Sequence, residues 1–165
     1  MYHSITFTGK IDGVTDPITV NTWDNWHLIP TSRPDIAHPQ IQTDYQDIGG
    51  MDGQMDFTEY IPGGVIYGTR TGSLEFYVDN RDPAYSNWMN IRDDIIYHLH
   101  GRRLFMSLTD DEPGYYYYGR FSVSNWKSDQ KWSTVTINYE LDPFKRHIDG
   151  ANINMPTDTI IYDDI

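Results

Sequence analysis

A chain of 165 residues fits one domain with a core large enough to need neither a disulfide nor a metal. Having no cysteine, it excludes disulfide frameworks, cysteine zinc sites and thiol catalysis, and leaves the redox compartment unreadable. Its formal charge of -12 would repel phosphate backbones and excludes sequence-reading nucleic-acid binding, and with no apolar leader and no long apolar run neither a secretory signal nor a membrane span is expected. The charge is uneven: residues 1 to 60 hold nine acids against only Lys10 and Arg33.

In chain order, Ser4 to Lys10 places Ile5 and Phe7 on one side and Thr6 and Thr8 on the other. This is the period of two of a half-buried strand, and Asp12-Gly13 closes it as a turn. Ile18 to Val20 and Trp26 to Ile29 read as further short strands, with Trp23 and Trp26 separated by a polar Asp-Asn step. From Pro30 to Gly64 the chain is rich in Pro, Gly, Asp and Gln, with Gln40 to Ile48 as its only plausible strand. A stretch of that length inside a compact domain is either a disordered insertion or an extended arm or hairpin that orders against a neighbouring subunit. Within it, the segment from Asp47 to Asp56 lacks the alternating oxygen ligands and closing Glu of a calcium loop. Gly49-Gly50 and Asp52-Gly53 are read as tight turns with positive φ.

Alternation returns with Leu74, Phe76 and Val78 opposite Glu75 and Tyr77. After Asp82-Pro83 the period changes: Trp88, Ile91, Ile95 and Leu99 form a helical stripe opposite Asn90, Asp93 and Asp94, with Ser86 or Asn87 as cap and Gly101 at the C′ position. A strand from Leu104 to Thr109 follows. The turn Asp110-Asp111-Glu112 precedes Pro113-Gly114, and then come four consecutive tyrosines, Tyr115 to Tyr118, which a strand would divide two to each face. Gly119 lets a backbone or ring approach closely, and Arg120 offers a fork for a carboxylate. The last hairpin alternates Phe121 and Val123, then Val135, Ile137, Tyr139 and Leu141 across a turn at Lys127 to Lys131. Pro143 ends the ladder, since it has no N–H to donate.

Reactive constellations are missing. His98 and His100, two apart on a helix, point about 200° from one another and cannot clamp a metal together; basic residues at that helix end are expected from the dipole alone. Asp110, Asp111 and Glu112 are adjacent in a turn and cannot bracket a glycosidic bond. No nucleophile elbow, phosphate loop, dinucleotide fingerprint or His-Glu-X-X-His occurs. The expectation is no enzyme, no cofactor and no metal. Aromatics at 15%, with thirteen Tyr and five Trp, leave two readings open: a sugar-stacking surface, or a subunit with several protein interfaces.

The order of these pieces resembles the N-terminal domain of the distal tail protein of long-tailed phages, a family related in fold to tail tube proteins. The resemblance rests on Trp26-His27-Leu28-Ile29-Pro30 before Arg33-Pro34, Gly49-Gly50-Met51-Asp52-Gly53 before Asp56-Phe57-Thr58-Glu59, Leu99-His100-Gly101, Tyr116-Tyr117-Tyr118-Gly119-Arg120 and Asp142-Pro143-Phe144. It implies a mainly β fold with one α-helix, an antiparallel β-sandwich or barrel of tail-tube type with a packed helix and a long loop or hairpin arm. Residues 1–145 would form the ring domain, with the arm at about 30–64, and residues 146–165 an extension or truncated linker. Family members usually carry a further C-terminal domain, so receptor-binding or carbohydrate-binding additions are not expected here.

The resemblance further implies a virion protein, made in the host cytoplasm and placed at the tail tip. Six copies would form a ring joining the tail tube to the baseplate or fibre, with the tail tube, tape measure, hub, fibre or baseplate proteins as partners. DNA would pass through the channel without sequence-specific binding, and acidic walls would keep it from sticking. The residues expected to serve the family motif or the assembly are Trp26, Gly50, Asp52, Gly53, Asp56, Tyr117, Tyr118, Gly119, Arg120, Asp142 and Pro143. Alternatives are a tail tube subunit proper and a carbohydrate-binding β-sandwich presenting Trp23, Trp26 and the tyrosines.

Overall fold

The computed structural model describes residues 2–11, 14–60, 62–79, 88–127 and 132–147, the Asn125 side chain excepted. The turn at Asp12-Gly13, the caps Ser86 and Asn87, residues 128–131 of the last hairpin's turn and residues 148–165 of the extension lie outside them. Twelve strands and one helix occur among the described residues. They are β1 (Ile5–Gly9), β2 (Ile18–Asn21), β3 (Leu28–Pro30), β4 (Ile41–Gln42), β5 (Tyr45–Asp47), β6 (Gln54–Asp56), β7 (Ile66–Tyr67), β8 (Arg70–Val78), α1 (Trp88–Leu99), β9 (Arg103–Leu108), β10 (Tyr115–Lys127), β11 (Ser133–Leu141) and β12 (Arg146–His147).

The body is one curled antiparallel sheet in the order β2-β1-β9-β10-β11-β8-β3, with β12 paired to β10, and it has the mainly β, one-helix character expected. The long strands form where the sequence alternates. In β11, Ser133, Val135, Ile137, Tyr139 and Leu141 are buried, and in β8, Leu74, Phe76 and Val78 face the same interior. Burial of one face fixes the register, because a slip of one residue would turn that whole set outward. A β-bulge between Ser124 and Lys127 shifts the phase of β10, and Trp126 turns against the core, 5.2 Å from Trp88. The helical stripe Trp88, Ile91, Ile95 and Leu99 is buried in the same cluster, and Gly101 takes φ +75° just beyond the helix.

The segment expected as an arm is a two-part hairpin. β4 pairs with β7 (Ile41 opposite Tyr67), and β5 pairs with β6 (Tyr45 opposite Asp56), so β4, β5 and β6 stand in the expected arm in place of the single strand from Gln40 to Ile48, and the hairpin runs on to β7 just beyond residue 64. Every residue from 41 to 56 is exposed. Gly50 and Gly53 turn its tip at φ +85° and +86°, which side chains with a Cβ rarely adopt, whereas Gly49 does not have a positive φ.

Candidate assembly interface

The expected site residues fall into three groups that the fold keeps apart. Gly50, Asp52, Gly53 and Asp56 lie on the arm. Tyr117, Tyr118, Gly119, Arg120, Asp142 and Pro143 lie on β10 and the turn that follows β11. Trp26 belongs to neither: it is 1% exposed, and its Nε1–H donates to Asp94 Oδ2 at 2.6 Å, tying the β2–β3 turn to the helix. Trp26 therefore contributes to packing and presents no surface. Trp23 stacks at 3.7 Å against Tyr2 and at 4.6 Å against His27, both rings nearly parallel to it, so both indole faces are covered. A sugar would find neither tryptophan face available, which leaves the carbohydrate-binding alternative with the tyrosines alone.

The arm exposes Ile41, Tyr45, Ile48, Met51, Met55, Tyr60, Val65 and Ile66, the last at 44% and Tyr60 at 80%. These eight exposed apolar side chains on one segment make it the candidate interaction surface. Between Pro34 and Thr69 there is no lysine or arginine, against six acids: Asp35, Asp44, Asp47, Asp52, Asp56 and Glu59. Asp56 Oδ1 accepts from the Thr58 N–H at 2.9 Å and from the Thr58 hydroxyl, and those bonds hold its carboxyl below the ordinary aspartate value of 3.8. The arm thus offers apolar side chains and fixed negative charge on one projection.

The root of the arm is polar and buried. Arg70, 1% exposed, donates from Nε to the Pro143 carbonyl at 2.8 Å and from Nη1 to the Ala37 carbonyl at 3.3 Å, so one guanidinium holds both the start of the arm and the turn after β11. Its Cζ also lies 5.6 Å from the Tyr117 ring. The Tyr117 hydroxyl donates to Glu112 Oε2 at 2.9 Å, and Lys145 Nζ reaches Glu112 Oε1 at 2.6 Å. Asp111 takes Arg33 Nε at 2.8 Å and His3 Nδ1 at 2.9 Å, and Asp110 accepts from the Ser4 N–H at 2.8 Å. A cavity of about 580 Å³ opens beside these groups, lined in part by Arg33, His38, Arg70 and Glu112. The turn at 110–112 is thus a hub of long-range bonds. Sequence reading missed it because its partners lie far along the chain.

On the outer face of the sheet, the Phe105 and Tyr118 rings lie 4.4 Å apart, with Arg103 Cζ 4.7 Å from the Tyr118 centroid. Gly119 permits a close approach, as expected, but the backbone concerned is its own: a Cβ there would overlap the Glu140 carbonyl and lie 2.6 Å from Leu141 Cα. Arg120 Nη1 donates to the Gly101 carbonyl at 2.7 Å. The Asp142 N–H donates to the Tyr118 carbonyl at 2.8 Å, while its Oδ1 accepts from Arg103 Nη2 at 3.0 Å. His98 donates to the Asp94 carbonyl at 2.8 Å and His100 Nδ1 accepts from the Val123 N–H at 3.1 Å, so each has its own partner. No helix among the described residues is long and apolar enough to cross a membrane.

The described residues thus form an all-antiparallel curled sheet carrying one helix and an exposed arm. Residues 27–149 match the family described as the phage tail protein RIFT-related domain; the chain belongs to this family and is a phage tail component. Among solved structures it is similar to the SPP1 Dit (gp 19.1) protein, described as a paradigm of the hub adsorption apparatus in phages that infect Gram-positive bacteria. Identity is 21% and the TM-score 0.56, over 86% of this chain and 52% of that one, a likeness of fold. The chain spans about half the length of that structure. A second structure, the six-fold symmetrised baseplate of the anti-feeding prophage, aligns at 11% identity and a TM-score of 0.40 over 88% of this chain and 93% of the other, too distant to carry an argument. No curated protein matches the chain.

Proposed function

We propose that this phage tail protein is a distal-tail hub subunit whose copies form a hexameric ring, joining the tail tube to the baseplate or fibre and enclosing a channel for DNA. The observation that carries this reading is the arm. Residues 41–56 are exposed throughout, yet they hold Ile41, Tyr45, Ile48, Met51 and Met55, side chains that water disfavours and that a neighbour would cover. Fully extended at about 3.3 Å each, the ten residues from Ile41 to Gly50 span at most about 30 Å, which bounds the reach toward an adjacent subunit. Asp52 and Asp56 on the arm, and Arg120 on the body, would serve that contact. The family membership supplies the tail context, and the acidic composition suits a wall that DNA slides past.

Native mass measurement of the full chain tests the reading. The expected species is six times the 19.3 kDa chain. Labelled antibody should also mark the tail tip in micrographs of the virion. A chain that stays monomeric at every concentration, with label absent from the tip, would remove the hub role.

A further inference from the structure

A head-to-tail ring needs two different surfaces on one chain, each complementary to the other. The arm is one of them. The second is assigned by an electrostatic oddity on the outer face: Arg103 and Arg120 stand directly opposite one another across β9 and β10, and both are exposed. Like charges in directly opposed positions weaken a sheet unless a carboxylate comes between them. Arg146 adds a third cation, 3.7 Å from Asp142 Oδ2, while Asp142 Oδ1 already bonds Arg103. Glu140, opposite Arg120 on β11, is the other acid nearby. Arg103 and Arg120 thus set two exposed cations side by side on the surface of a protein whose net charge is -12.

The same surface has apolar features. Phe105 and Tyr118 form a pair of part-exposed rings beside the arginines, and Arg120 itself lines a cleft of about 350 Å³ together with Gly72, Gly101, Phe121, Tyr139 and Glu140. A carboxylate flanked by a flexible apolar side chain fits such a surface. The arm tip carries that combination at Met51-Asp52, with Met51 52% exposed, and a second carboxylate beside an exposed apolar side chain at Asp47-Ile48. Asp47 and Asp52 make no ion pair with any described residue. Methionine suits an irregular cleft because it is unbranched and adapts its rotamer.

We propose that the surface formed by Arg103, Arg120, Phe105 and Tyr118 is the socket for the arm tip of a second copy of this chain, with Asp47 and Asp52 meeting the arginines and Met51 entering the cleft. This rests on the ring reading and names the contact that would close it. Opposite charge on arm and socket also sets direction: arm meets arm, and socket meets socket, with repulsion, so only head-to-tail pairing is favoured.

A charge exchange tests the socket. Two full-length variants, Arg103→Glu with Arg120→Glu, and Asp47→Lys with Asp52→Lys, are compared with the wild type by sedimentation velocity, each checked for wild-type circular dichroism. A milder pair, Arg103→Gln with Arg120→Gln, covers the case in which the reversal disturbs the sheet. Each reversed variant should associate at least tenfold more weakly than wild type. Mixing the two should restore the wild-type oligomer, since each arm then finds a socket of opposite sign. Wild-type oligomers unchanged by either substitution would overturn the socket and leave the ring standing. A monomeric wild type would overturn both. Variants that dissociate but fail to recover on mixing would show that the charges act without pairing, and would also overturn the socket.

Discussion

The body and the arm obey opposite rules. In the body every long strand puts one face into a shared interior, so Ile5, Phe7, Phe76, Phe121, Ile137 and Leu141 are essentially without solvent contact. In the arm neither face of β5 or β6 is covered, and the side chains on both are exposed. Two-stranded ribbons with no covered face are marginal in water. The body is thus stabilised by its own buried side chains, whereas the arm leaves its apolar side chains in water.

Substitutions should divide along the same line. Phe76→Ala in the body should cost about 3–5 kcal/mol in chemical denaturation, the range for emptying a packed aromatic site. A loss under about 1 kcal/mol would mean that β8 does not build the core. Arg70→Met sits at the boundary between the two regions. It leaves the carbonyls of Ala37 and Pro143 without this donor, and should cost about 2–3 kcal/mol while loosening the arm root to protease. If melting falls but the arm's cleavage rate is unchanged, the arginine supports the body alone. Met55→Ala in the arm should change stability by less than about 0.5 kcal/mol and weaken self-association instead. A large stability loss there would erase the distinction.

The smallest effect is on protons. Hydrogen bonds from Thr58 hold the Asp56 carboxyl below 3.8, so they favour the folded arm above the ordinary aspartate value and lose that contribution as pH falls through the lowered one. An NMR titration should place the Asp56 midpoint below 3.8 in the wild type and closer to it in Thr58→Val. Equal midpoints would show that Thr58 does not act on the carboxylate.

The same division explains what the sequence could tell. β1, β8, β9 and β11 were legible because burial of one face writes a period of two, and the α1 stripe was legible because burial writes 3.6. In Tyr45-Gln46-Asp47 and Gln54-Met55-Asp56 no face is buried, so no period exists, and β6 and β7 went unseen. The motif residues were read as one set, yet Trp26 is in the core while Asp52 and Arg120 lie on separate surfaces. Arg70 was invisible because its partners at Ala37 and Pro143 are 33 and 73 positions away. Asp111 was likewise hidden, since His3 lies 108 positions from it. Arg103, whose repulsion with Arg120 depends on strand register, could not be found before the pairing was known.

Replacing residues 44–57 by a two-residue Asn-Gly turn puts the central claim at risk most directly, with the mass of that variant and of the wild type measured in solution. The account predicts a wild-type ring and a truncated chain that is monomeric and melts as the wild-type body does. A truncated chain that still assembles, or a wild type that never does, would contradict it.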